Sequence, residues 1–323
     1  MIKKILSIII ALCSAFVFTS CKGENITVYA PDGAPALALT RAINTLDGFD
    51  FSIVGSDVIE TKVSGKDKVA DVCVLPIDSA LKFLSSGDSY QMLGALTHGN
   101  FYFLGRNEDE INRNNISSLI GKTVGVLQIN KIPGIAFKAV LAELQTPYQI
   151  VQDKAQSDSQ KVNLIAVNKV EVCSEKADIY LIPSPLADAK DSKTNFKFIG
   201  SLHGLYAENS IYQAVIVAKK SVIKNDLVKI KELINSIKGV EEYLLTQEKG
   251  IVLQAIESRI EKGLTPTFNE QNYTSNAIKN CFIKFVQAKD CYNKINGFIE
   301  KVKSVSPSLT GEFSSEFYYG GDL

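Results

Sequence analysis

Short apolar runs alternate with helical patterns along this chain, and they do so twice. Ile26 to Ala30 reads as a strand, Pro31-Asp32-Gly33-Ala34-Pro35 as a tight loop, and Leu37 to Leu46 carries apolar residues at helical spacing. Phe51 to Val54 makes the next strand. Val69 to Leu75 (VADVCVL) is apolar almost throughout, as expected of a strand covered on both faces. Pro76-Ile77-Asp78 follows, then a helix from Ser79 to Leu84 and a strand from Met92 to Thr97. Such alternation predicts an α/β fold with a mostly parallel sheet and right-handed crossovers.

Gly99 to Asn107 (GNFYFLGRN) changes character: it carries aromatics, no helix follows at once, and it reads as an extended strand leaving the first sheet. A second alternation opens at Gly121. Thr123 to Gln128 is a buried strand, a polar turn follows, and Pro133 and Gly134 begin a helix, whose first N–H groups have no intrahelical partner and point beyond the strand end. Tyr148 to Gln152, Ala177 to Ile182 and Phe196 to Ser201 complete this set, and Ile211 to Ala218 carries the chain back. Leu227, Ile230, Leu233, Ile234, Ile237, Val240 and Leu244 share one helical face; Cys281 to Val286 reads as a short strand and Asp290 to Val302 as a helix. Two similar sheets, two extended crossings and no low-complexity linker predict two lobes about a hinge.

Lys3 and Lys4 precede an apolar run from Ile5 to Phe18. It falls short of the ~20 residues a spanning helix needs and suits a signal peptide. Phe18-Thr19-Ser20-Cys21 resembles a bacterial lipobox, so residues 1–20 are expected to be removed and Cys21 lipidated. Lys3 and Lys4 are two of the 35 basic residues set against 35 acidic ones, so the remainder carries a formal charge of −2. That argues against a nucleic-acid partner. Cys73, Cys173, Cys281 and Cys291 show no CxxC spacing, and with only His98 and His203 beside them a zinc site is not expected. Cys73 reads as a small core residue, while a disulfide between Cys281 and Cys291 stays open, because sequence cannot show how close their Cα atoms come.

The segments ITVYAPDGAPALAL, ISSLIGKTVGVL, VNLIAVNKVEV with ADIYLIPSPLA, IYQAVIVAKKSVI and SPSLTGEFSSEFYY, in this order and spacing, resemble one family. It is the substrate-binding lipoproteins of bacterial ABC importers, with the type II periplasmic-binding-protein fold, in the broad nitrate, sulfonate and thiamine-precursor group. Ser184 stands where that family often has Glu before proline, and Ile211-Tyr212 where it often has Tyr-Pro. The resemblance implies lobe I from 24–100 plus 206–323 and lobe II from 101–205. It further implies a monomeric, extracytoplasmic, lipid-anchored protein, without cofactor or catalysis, that delivers a small molecule to an ABC permease and ATPase. An enzyme on the same fold, like the pyrimidine synthases, and a surface adhesion or sensor lipoprotein are the alternatives.

The resemblance implies a cleft lined by loops at strand ends. Lobe I would contribute Asp32, Gly33, Ala34 and Pro35, then Pro76, Ile77 and Asp78, with His98 and Asn100 at the first crossing. Lobe II would contribute Gln128, Asn130, Ile132, Gly134 and Ser184, and Tyr206 and Tyr212 by the return crossing could stack on a planar ligand. Several have blander roles open to them: Asp32 as a turn former, Asp78 as a helix cap, His98 as a structural histidine, the tyrosines as core. Asn130, able to donate and accept before a helix N-terminus, is the expected polar anchor. Lys131 is the one basic residue in these loops, which favours a neutral or zwitterionic, partly aromatic solute such as a pyrimidine-type vitamin precursor over a strong anion.

Overall fold

The computed structural model describes residues 24–66, 68–106, 108–206 and 211–323; the apolar leader and Cys21 lie outside the described residues. The first body opens with β1 (Ile26–Pro31), α1 (Ala34–Thr45), β2 (Phe49–Val54), α2 (Thr61–Ser64), β3 (Val72–Pro76), α3 (Ile77–Leu84) and β4 (Tyr90–Thr97). The second body comprises β5 (Phe101–Gly105), β6 (Thr123–Leu127), α4 (Ile132–Glu143), β7 (Tyr148–Val151), β8 (Val162–Val167), β9 (Ile179–Pro183), α5 (Leu186–Lys193), β10 (Lys197–Ser201) and α6 (Leu202–Leu205). The chain then returns through β11 (Ala214–Lys219), α7 (Lys220–Asn225), α8 (Leu227–Lys238), α9 (Val240–Thr246), α10 (Lys249–Glu257), α11 (Ser275–Asn280), β12 (Ile283–Gln287) and α12 (Ala288–Lys303).

Two six-stranded sheets result, ordered β12-β4-β11-β3-β1-β2 and β10-β5-β9-β6-β8-β7. The expected parallel pairing holds for β2, β1 and β3 and for β7, β8, β6 and β9. In each sheet an antiparallel strand interrupts the series: β11 lies between β3 and β4, and β5 between β9 and β10. Each is the first strand made after the chain arrives from the other body, so each crossing ends inside a sheet. The two sheets therefore hold one another's connections, and the α/β architecture is two-lobed with two crossings.

Two features differ from the sequence expectation. β8 stands centrally between β6 and β7 where no strand is expected, so the second sheet does not copy the first strand for strand. The apolar stripe from Leu227 to Leu244 is two helices, because α8 ends at Gly239. A Cβ there would meet the Arg41 guanidinium at 2.1 Å, so a larger residue would have to displace that flexible side chain.

The doubly covered strand begins later than Val69, which is exposed, but is buried on both faces: Val72 and Val74 join one core with α1, α8 and α9, while Cys73 and Leu75 join another on the opposite face. This second core is continuous across both bodies, since α12 of lobe I packs on α4 of lobe II and Ile295, Phe298 and Ile299 share it with Ala136 and Val140. The cysteine question is also closed. Cys73, Cys173, Cys281 and Cys291 are thiols, and the whole of β12, about 16 Å of strand, intervenes between Cys281 and Cys291.

Candidate functional site

The sheet register gathers the ends of β1, β3 and β4 on one rim of lobe I. Ala214 lies opposite both Pro76 and Thr97, which fixes the level of that rim. Gln213, just before it, fastens the row: its carbonyl accepts from the Ile77 N–H at 3.0 Å, its N–H donates to the Thr97 carbonyl at 3.0 Å, and its Oε1 accepts from the Asn100 N–H at 3.4 Å. Sequence reasoning passed over Gln213, because nothing in QAVIVAK marks the residue before a strand as a bridge.

On this rim Gly33 holds φ 102 at the start of α1, and a Cβ added there would meet nothing within 4 Å although the residue is buried. Asp32 accepts from the Thr267 N–H at 2.8 Å and from its hydroxyl through Oδ2, which clamps a lobe I loop, while Oδ1 has no partner. Asp78, in the first turn of α3, is 6% exposed, and its Oδ1 also lacks a partner. Burial pushes its carboxyl above the ordinary value, against the pull of Lys131 and of the Ser79 and Asp78 backbone N–H groups. Thr97 Oγ1 and Asn100 Oδ1 are buried without partners as well. A buried polar atom left in this state costs roughly 1–3 kcal/mol, so four of them on one rim are an expense that packing alone does not account for. Ala34 and Ile77 are core, and Pro35 stands in the first turn of α1.

Lobe II meets this rim through the turn before α4. Gln128, at φ 63, and Asn130 are exposed, and it is Lys131 that reaches across. Its Nζ lies 3.2 Å from Glu60 Oε1 in lobe I, and the Ser79 hydroxyl donates to the same oxygen at 2.7 Å. Burial raises the Glu60 carboxyl, but the Ser79 hydroxyl and the Lys131 ammonium outweigh it and hold the group below its usual value. No pattern in the exposed turn around Glu60 could have marked it. Ile132 is core. Gly134 is needed for a different reason from the one expected: a Cβ there would meet the Ile129 carbonyl oxygen at 2.1 Å, so the glycine makes room for its own loop. Ser184 N–H donates to the Asn100 carbonyl at 2.9 Å and Asn100 Nδ2 returns a bond of 2.9 Å to the Ser184 carbonyl, while the Ser184 hydroxyl engages Asp188 and the Ala277 carbonyl.

The remaining predicted residues form the pivot. Tyr206 donates its hydroxyl to the Ala136 carbonyl in α4 at 3.0 Å, and Tyr206 and Tyr212 both lie against Phe298, with ring centroids 5.8 and 6.3 Å away. His98 stands edge-on to Tyr212, and its Nε2 meets the Lys284 carbonyl at 2.7 Å. Burial pushes the imidazole down to about 4, against the favourable pull of that carbonyl, so it is neutral at pH 7. A hollow of about 440 Å³ lies between α5 and α11, where Asn280 Nδ2 donates to Asp188 Oδ1 at 2.7 Å. Among the described residues, none of the buried side-chain oxygens without partners belongs to its lining, whereas four belong to the strand-end rim, and the rim is the better candidate for a ligand. Among the described residues no group of three or more His, Cys, Asp or Glu side chains could hold a metal, and no helix is long and apolar enough to cross a membrane.

No family model matches this chain, and no curated protein matches it in sequence. Solved structures do match in fold. An ABC transporter protein from Parabacteroides distasonis superposes with a TM-score of 0.71 at 15% identity, over 92% of this chain and 99% of the other. The periplasmic aliphatic sulphonate binding protein SsuA from Escherichia coli gives 0.62 at 8% identity, over 92% of each chain. The alkanesulfonate-binding SsuA from Xanthomonas axonopodis pv. citri, bound to MOPS, gives 0.58 at 10% identity, over 92% of this chain and 98% of the other. The fold is thus that of the two-lobed substrate-binding proteins of ABC importers.

Proposed function

We propose that this chain is the solute-binding component of an ABC importer, which captures a small organic molecule between its lobes and presents the closed form to a permease and its ATPase. One observation carries the reading: loops from both lobes meet at strand ends, over a rim of buried oxygens without partners, in a body hinged by two crossings. The structural neighbours named for ABC transport and sulfonate binding support it. The lobes divide at 100/101 and 205/206, the protein acts as a monomer outside the cytoplasm, and a lipid on Cys21 tethers it to the membrane. Its role is binding, not catalysis.

Capture requires that the ligand favour the closed state. Moving from ~1% to ~99% closed takes about 5.5 kcal/mol of differential binding. The corresponding test is native mass spectrometry of the purified protein followed by thermal shifts with whatever it carries. A ligand at ~100 times its dissociation constant adds about 2.7 kcal/mol of stability. If no solute is carried through purification and neither metabolite panels nor cell extracts move the melting curve, the capture reading fails. Globomycin-sensitive processing and loss of membrane association on Cys21→Ala would test the anchor.

A further inference from the structure

The rim has a definite chemical sense. Seven buried side-chain polar atoms lack partners among the described residues, and four of them, Asp32 Oδ1, Asp78 Oδ1, Thr97 Oγ1 and Asn100 Oδ1, belong to the strand ends on this one rim. Asn100 Oδ1 accepts, the two Asp oxygens accept when their carboxyls are ionised, and the fourth is a hydroxyl. The ammonium that enters the cleft, on Lys131, is already engaged by Glu60. Asp32, Glu60 and Asp78 set three carboxyl groups on this rim against Lys131, with Lys82 acting on Glu60 from α3. A sulfonate would bring further acceptors to these acceptors, with no arginine in the strand-end loops to receive it. A donor-bearing cation would complete them.

We infer that the solute is an organic cation that donates several N–H bonds, an amine or guanidine, with its charged nitrogen between Asp32 and Asp78 and further donors toward Thr97 and Asn100. This rests on the capture reading and narrows it, and it departs from the sulfonate binders that share the fold. It has a consequence in protons. Burial disfavours the Asp78 carboxylate and an arriving cation favours it, so binding weakens as pH falls.

The test uses the full mature chain and two sets of probes: putrescine, agmatine and spermidine on one side, propanesulfonate and MOPS on the other. The amines should raise the melting temperature in a dose-dependent way and the sulfonates should not. Calorimetry should show amine binding that weakens as pH falls. Asp78→Asn keeps the shape of the side chain and should weaken amine binding about 10- to 100-fold without lowering the melting temperature of the ligand-free protein. Asp32→Asn should weaken it in the same sense, which covers the case in which one variant folds poorly. If sulfonates alone shift the curve, or native mass spectrometry finds a bound solute with no basic nitrogen, this inference is overturned while capture stands. If neither set shifts the curve and no solute is carried through purification, both fall.

Discussion

Two of the places where the lobes touch are built from opposite materials. At the pivot, α12 lies on α4 through Phe298, Ile299 and their neighbours, with Tyr206 and Tyr212 against Phe298 and a neutral His98 beside them. At the mouth, the direct link is Lys131 to Glu60, partly in solvent, above a rim of unpaired oxygens. Apolar packing is non-directional and adds up over area, so it holds in any closure state that keeps the surfaces together. A half-exposed ion pair is worth little and can be exchanged for other partners. A capture protein needs this division, with a joint that stays packed and a mouth whose contacts a ligand can replace.

The difference can be tested by damaging each place in turn. Phe298→Ala at the pivot should cost about 3–5 kcal/mol by denaturant unfolding, the range for a large aromatic removed from a core. A loss below 1 kcal/mol would mean that the pivot is not a packed joint. Acid should come next. The folded imidazole of His98 resists protonation down to about 4, while the unfolded one accepts a proton near 6.5, so the stability held by the neutral form is lost as pH falls through 6.5 toward 4. By pH 5 the loss should approach ~2 kcal/mol, and His98→Gln should flatten it. Tyr206→Phe removes the bond to the Ala136 carbonyl and should cost about 0.5–1.5 kcal/mol.

At the mouth, Lys131→Met should change stability by less than ~1 kcal/mol. It should nevertheless lengthen the distance between spin labels placed across the cleft in the ligand-free protein, whereas Phe298→Ala would disorder that distance distribution. Reducing agent should have no effect on unfolding, since Cys281 and Cys291 are thiols. A fall in melting temperature with dithiothreitol would contradict that assignment.

Much of this was readable in the residues. VADVCVL announced a strand buried on both faces, and its alternate side chains do enter two different cores. β8 was missed because only ten residues separate VNLIAV from β7, and the single 3-10 turn among them, Lys154–Gln156, carries no apolar periodicity to signal a crossover. At the site, strand-end loops could be located but not sorted. Asp78 and Asn100 are on the rim by register, yet Glu60, Thr97 and Gln213 become visible only when three strands are laid side by side. Gly33 and Gly134 look alike in the sequence. One faces open space, and the other is packed under the Ile129 carbonyl, a difference made by loop geometry that no local pattern encodes.

The split order of the first sheet also sets an order on the ribosome. Sheet I cannot be completed from its own first stretch, because β11, which separates β3 from β4, is synthesised only after every strand of sheet II has emerged. The second lobe has all six of its strands in one continuous segment and is able to assemble first, while β1 to β4 wait with a gap in their middle. For that interval the earliest-made part of the protein is the part that most needs shielding from other chains.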